Sequence, residues 1–250
     1  MFDVVNILGV NIAVTSVERT TACVRKWIAD RTQAYVCFAP VSTLVDCQKS
    51  APYKNIINGA TMTNPDGMPV VWVARWKGRK NIQRTCGPDF MERLFEESEG
   101  AGYRHFFYGG TSESKELLLQ AIKRRWPGLK IAGAIAPPFR AVGELEESTL
   151  LEEINAARAD VLWVGLGSPK QDYWMANHRD KLNVPVICGV GAAFDFIAGT
   201  KPMAPGWMRS GGLEWLFRLC CEPKRLWRRY VVGNSQFIYF LITRELLKHG

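Results

Sequence analysis

The chain has only three histidines, His105, His178 and His249, and no two of them stand at metal-ligand spacing. Surface or packing roles are expected for all three. The seven cysteines are odd in number, form no C-x-x-C pair and include the adjacent Cys220 and Cys221. That pattern excludes a disulfide framework and fits reduced thiols in a cytosolic protein. No run of about eighteen apolar residues occurs, so no helix is expected to cross a bilayer. The N-terminal M-F-D-V-V-N-I-L-G-V-N has no basic leader and carries an early Asp3, so no signal peptide is expected. Internal repeats and low-complexity segments are absent. So is any Asp-x-Asp, the usual carboxylate pair for holding a divalent ion against a nucleotide diphosphate, and neither a metal site nor a cofactor is expected. The sequence also lacks a dinucleotide fingerprint. Gly165-x-Gly167 is followed by Lys170 where a third glycine belongs, and Gly189-x-Gly191 by Phe194.

What is present describes a globular enzyme-sized chain. Of 250 residues, 47% are hydrophobic and 22% charged, enough for a sizeable core. The net charge of +8 is unevenly spread. From residue 201 onward nine Lys/Arg face only Glu214, Glu222 and Glu245, so most of the excess lies in the last fifth of the chain. Such asymmetry points to an anionic partner for the tail: phosphate groups, an acidic membrane surface or nucleic acid.

Apolar runs alternate with segments of helical period. Strands are expected at 34–39, 105–108, 129–134, 160–167 and 184–191, and helices at 42–50, 112–126, 144–159 and 169–178. The runs do not alternate with polar residues, as expected for parallel strands covered on both faces. The expected fold is therefore α/β, a Rossmann-like parallel sheet with helices on both faces. Near residue 195 the character changes. K-P-M-A-P-G-W-M-R-S-G-G (201–212) reads as a Pro/Gly-rich connector, and the helical segment beyond it carries Trp215, Trp227 and many arginines. The division expected is a core over 1–195 and a basic helical appendage over 196–250, with Pro223 opening a new helix in its first turn.

Three strand ends are marked by glycine: Y-G-G-T at 108–111, V-G-L-G-S-P-K-Q at 164–171 and C-G-V-G-A-A-F-D at 188–195. In parallel sheets ligands bind at this edge, where helix N-terminal amides favour phosphate. Gly109, Gly110, Gly167 and Lys170 are thus candidates for holding a phosphate-bearing ligand, although each glycine pair alone is ordinary turn chemistry. Gln171 and Asp195 lie on two of these ends, either as caps or as members of one pocket. Without a metal, arginines would have to neutralise a diphosphate. Arg218, Arg225 and Arg228 are spaced to share one face of a roughly continuous helical path, the alternative being a solvated basic face. In T-N-P-D-G-M-P-V-V-W (63–72), Asp66 stands between proline and glycine. It reads equally as a turn or helix-cap residue and as a carboxylate with chemistry to do.

P-D-G-M-P-V-V-W, V-G-L-G-S-P-K-Q-D-Y-W, G-V-G-A-A-F-D-F-I-A-G-T and G-L-E-W-L-F-R-L-C-C-E-P-K-R-L-W-R-R-Y together resemble the WecG/TagA/CpsF family of bacterial glycosyltransferases, over about residues 35–230. The resemblance implies an inverting, metal-independent transfer of a sugar from a UDP-sugar to an undecaprenyl-diphosphate-linked acceptor. The setting it implies is the cytoplasmic face of the membrane, in cell-surface polysaccharide assembly. It places the catalytic base on Asp66, the nucleotide-sugar pocket on Gln171 and Asp195, and the appendage arginines on Arg218, Arg225 and Arg228. It further implies that docking of the appendage completes the site, and that homo-oligomers sometimes form without it. The chain departs from the family pattern at Pro40 and Ser42, where members often carry T-x-N or N-x-H, and at Met203, an often basic position. Two other readings remain open on the residues: a nucleotide-cofactor oxidoreductase, weakened by the missing fingerprint, and a nucleic-acid-binding module using the basic tail.

Overall fold

A computed structural model describes residues 2–138 and 143–246. Strands β1 (Val4–Ile7) and β2 (Val10–Ala13) form an antiparallel hairpin. Its turn places Leu8 and Gly9 at positive φ, the geometry that a two-residue hairpin loop requires. The remaining strands are β3 (Ala34–Ala39), β4 (Met62–Pro65), β5 (Arg104–Gly109), β6 (Lys130–Ile135), β7 (Val161–Gly165) and β8 (Val186–Gly189). They form one sheet in the order β4-β3-β8-β7-β5-β6, with every pairing parallel.

Alternate residues along each strand enter two separate cores. Tyr35, Cys37, Phe106, Tyr108, Leu162, Val164 and Ile187 face one side. There they meet Leu44, Tyr53, Ile57, Val70 and Met175 from the covering helices. Val36, Phe38, Phe107, Trp163, Val186 and Cys188 face the other, against Val24, Phe90, Leu94, Phe95, Leu118 and Phe194. Apart from the edge strand β6, both faces are buried, which is why the strand sequences show no polar alternation. The fold is α/β and Rossmann-like, as the periodicity implies.

Besides helices Val17–Ala29, Ala51–Asn58 and Gly87–Ala101, which the sequence expectation does not include, two strand regions differ from it. One is the hairpin, which the sequence expectation leaves unassigned although it alternates: Val5, Ile7, Val10 and Ile12 are buried while Val4, Asn6 and Asn11 are exposed. The other is β4, which occupies residues that read as part of a turn. Pro65 closes it opposite Ala39, a place a proline tolerates because β4 is an edge strand.

The C-terminal region folds back onto the core. Short helices at Gly206–Ser210 and Glu214–Cys221 lead to Pro223, which opens a helical path running through Leu246 with wider π turns at Arg228–Val232 and Ile242–Leu246. That path packs along helix Val41–Lys49. Leu226 and Phe237 are buried, and Phe237 belongs to the first core. At its far end Glu245 accepts a 2.6 Å hydrogen bond from the Leu8 amide and pairs with Lys77. No helix among the described residues is long and apolar enough to cross a membrane.

Candidate active site

Because all six strands run the same way, their C-terminal ends share one edge. The ends of β4, β3, β8 and β7 floor a cleft of about 850 Å³, lined among others by Asp66, Pro40, Gly189 and Gly167. Its roof comes from the appendage: Glu214, Arg218, Arg225, Arg228 and Arg229. A smaller recess opens off it beside Asp66, bounded by Met68, Arg84, Arg209 and Tyr230.

Asp66 follows β4 directly, its amide bonded to the Ala39 carbonyl at 3.2 Å. The turn reading is right about geometry, since Gly67 adopts a φ of 121°. The cap reading is not: Gly67, not Asp66, is the N-cap of helix Met68–Trp76, and no side chain caps it. Among the described residues the Asp66 carboxylate has no hydrogen bond and no ion pair. Burial pushes it up to about 6, against an ordinary 3.8. Arg84, Arg218 and Arg229 oppose the rise through their charge, and Glu214 adds to it. A carboxylate that folding leaves unpaired in a cleft, titrating close to neutrality, has the properties of a general base.

Gln171 is 3% exposed and ties two strand ends together. Its Oε1 accepts from the Gly167 amide at 3.1 Å, and its Nε2 donates to the Gly189 carbonyl at 2.8 Å and to the Ser168 hydroxyl at 3.3 Å. It therefore shapes the cleft floor. Asp172, beside it, is buried and accepts a 2.7 Å hydrogen bond from the Tyr53 hydroxyl, and burial raises its carboxyl above the usual range.

Gly110, Lys170 and Asp195 line an adjoining cavity of about 610 Å³, which shares Gly167, Gly191 and Ala192 with the cleft as lining residues. Asp195 is held by Lys201 at 2.7 Å. Gly109 sits apart from both cavities, closing the β5–β7 pair. A Cβ there would fall 2.6 Å from the Gly165 backbone.

The three appendage arginines reach one cleft, but not from one continuous helix. Glu222 breaks the path with φ −134° and ψ 60°, so Arg218 lies on one helix and Arg225 and Arg228 on the next. Arg218 stacks over Phe196 at 4.8 Å, Arg225 forms a fork with Glu222, and Arg228 lies over Trp227 at 5.3 Å. Of the last two basic residues of the tail, Arg244 bonds the Gln48 side chain at 2.7 Å, and Lys248 lies outside the described residues.

Arg84 is the residue that sequence reasoning missed. Its guanidinium grips Asp89 at 2.8 Å and the appendage's Glu214 at 2.5 Å, and Asp89 also holds Arg209 at 2.9 Å. This chain of charges fastens the appendage to the core beside Asp66. The Arg209 Nε is buried without a partner among the described residues. Arg84 sits in a polar loop at no strand end, so no local signal marks it.

No three His, Cys, Asp or Glu side chains converge as a metal-ligand set among the described residues. His105 is a core residue. Its Nδ1 accepts from the Trp163 indole at 3.0 Å, and burial lowers its pKa to about 3. His178 bonds the Trp174 carbonyl and lies 3.0 Å from Glu147, and His249 is outside the described residues.

The sequence pattern of the glycosyl transferase WecG/TagA/CpsF family matches residues 5–250. The chain belongs to this family. It is 28% identical over 212 residues to the N-acetylglucosaminyldiphosphoundecaprenol N-acetyl-beta-D-mannosaminyltransferase of Bacillus spizizenii, covering 85% of this chain and 80% of that one. To the enzyme of the same name from Bacillus subtilis it is 30% identical, over 72% of this chain and 68% of the relative. The like-named Staphylococcus aureus enzyme is 25% identical, over 90% and 87%. The protein is a glycosyltransferase.

Proposed function

We propose that the protein transfers an N-acetylhexosamine or hexose from a UDP-sugar to a glycan linked to undecaprenyl diphosphate, inverting the anomeric centre and using no metal. The observation that carries this reading is the unpaired Asp66 carboxylate in a cleft roofed by arginines. The relatives' names supply the acceptor class, a sugar on undecaprenyl diphosphate.

The acceptor hydroxyl attacks the anomeric carbon while Asp66 takes its proton. The bond from that carbon to the β-phosphate oxygen breaks, and UDP leaves carrying the electron pair. A positioned base of this kind contributes about 10²–10⁴-fold. Arg218, Arg225 and Arg228 meet the charge that grows on the leaving diphosphate, as donors aimed at developing charge do in general. Gly167 and Gln171 shape the floor under it, and the cavity of Gly110, Lys170 and Asp195 takes the nucleoside end. Pro40 and Ser42 line the cleft beside Asp66, where the donor sugar would lie, so these departures bear on sugar choice. The protein would work as a peripheral enzyme on the inner face of the cell membrane, in cell-surface polysaccharide assembly.

A donor screen tests the reading: UDP release from several UDP-sugars, with a synthetic lipid-diphosphate acceptor. Acceptor-dependent release with at least one donor is expected. Release that ignores the acceptor, or binding of NAD(H) in place of UDP, would overturn it.

A further inference from the structure

Helix Met68–Trp76 begins two residues after Asp66 and has two faces of opposite use. Val70, Val71 and Ala74 are buried in the core. Met68, Trp72 and Trp76 stand at successive four-residue steps, which puts them on one stripe along the other face. That stripe is apolar yet open: Trp72 is 48% and Trp76 62% exposed. Exposed apolar surface of this size ordinarily marks a binding site.

The stripe has a direction. Met68 and Pro69 line the recess that holds Asp66, Arg84, Arg209 and Arg229. One turn on, the Trp72 ring packs so closely against the appendage that a Cβ on Gly212 would fall 2.5 Å from it. Beyond, Trp72, Val73 and Trp76 meet Leu241 in a groove of about 350 Å³, with Glu245 at its end. The helix rises about 1.5 Å per residue, so the track runs on the order of 12 Å outward from the recess. An arginine-bounded recess at one end and an apolar groove at the other match a ligand with an anionic head and a long hydrocarbon tail.

We propose that the Met68–Trp72–Trp76 stripe, closed on one side by Leu241, is the binding track for the prenyl chain of the lipid acceptor. This rests on the acceptor class proposed above, and it commits to the substrate's own tail, not to the bilayer surface. The recess and the groove are separate depressions, with the Trp72 ring against Gly212 between them, but they lie on successive turns of one helix. That alignment favours the tail, because a bilayer contact has no need to start at the catalytic cleft. The track would hold the first isoprene units of each acceptor, so that its diphosphate comes to rest in the arginine-lined recess.

The test uses the full chain in detergent, with undecaprenyl phosphate and geranyl phosphate as probes and tryptophan fluorescence as the binding signal. The wild type should bind the long chain at least about tenfold more tightly. Trp76→Ala removes an exposed ring and should leave the fold intact. It should cut the chain-length preference at least about fivefold, in line with the apolar area withdrawn, while vesicles free of polyprenol bind as before. Leu241→Ser should act in the same direction. Loss of vesicle binding by Trp76→Ala would make the stripe a bilayer contact and overturn the proposal, as would an unchanged chain-length preference. The readout needs no sugar transfer. A chain-length preference that depends on Trp76 in a protein with no transferase activity would therefore refute the proposed reaction and leave the track standing.

Discussion

Asp66 illustrates how folding sets the chemistry of a side chain. Its neighbours in sequence make it a turn residue, but burial at the end of β4 without a partner brings its pKa to about 6. A base with that pKa must be ionised to act, so turnover should fall about tenfold per pH unit below 6 and level off above it. A rate flat from pH 5 to 8 would deny Asp66 the role. Asp66→Asn should bind UDP normally and lose at least about 10²-fold in turnover. The same substitution should stabilise the protein, with a definite sign in pH. The folded pKa lies above the unfolded one, so ionisation costs nothing below about 3.8 and progressively more as pH rises through 6. A rise of that size corresponds to about 3 kcal/mol at most. Thermal unfolding should thus show the Asp66→Asn variant matching the wild type at pH 4 and exceeding it at pH 8.

The appendage helices act as the roof of the site and as part of the core. Arg225→Ala and Arg228→Ala should reduce turnover with detergent-solubilised acceptor, where attraction to a membrane plays no part. Wild-type turnover in both would leave these arginines as a membrane anchor. Phe237→Ala should cost about 3–5 kcal/mol, the range for removing a fully packed phenyl ring, readable as a lowered denaturation midpoint. That burial means a chain cut near residue 196 would bare an apolar strip on helix Val41–Lys49, so loss of activity on truncation needs a parallel check of folding. The break at Glu222 also explains why spacing alone misjudged the arginines. A periodic argument assumes one axis, and here two helices converge on the cleft from different directions.

Charge and its placement are properties of the molecule as a whole. The excess of Lys and Arg after residue 200, with exposed Trp207 and Trp227, suits attachment to an anionic surface at about 1 kcal/mol per basic residue. Binding to anionic vesicles should weaken steeply with salt and be lost on neutral ones. Transfer itself should survive chelation: strong inhibition by EDTA, reversed by Mg²⁺ or Mn²⁺, would reveal a metal requirement.

Local sequence was sufficient for the parallel sheet, because strands buried on both faces must read as unbroken apolar runs, and for the glycines that mark the strand ends bordering the cleft. It was also sufficient for the family, whose motifs are contiguous stretches. The order of the strands, which brings Asp66 after β4 and Gln171 after β7 to one cleft, was decided only by the tertiary structure. So were the grip of Arg84 on Glu214, 130 residues away in sequence, the pKa of Asp66 and the apolar track beside it. Each depends on which surfaces of distant segments come into contact. Periodicity reports the face a residue shows, but not what that face will meet.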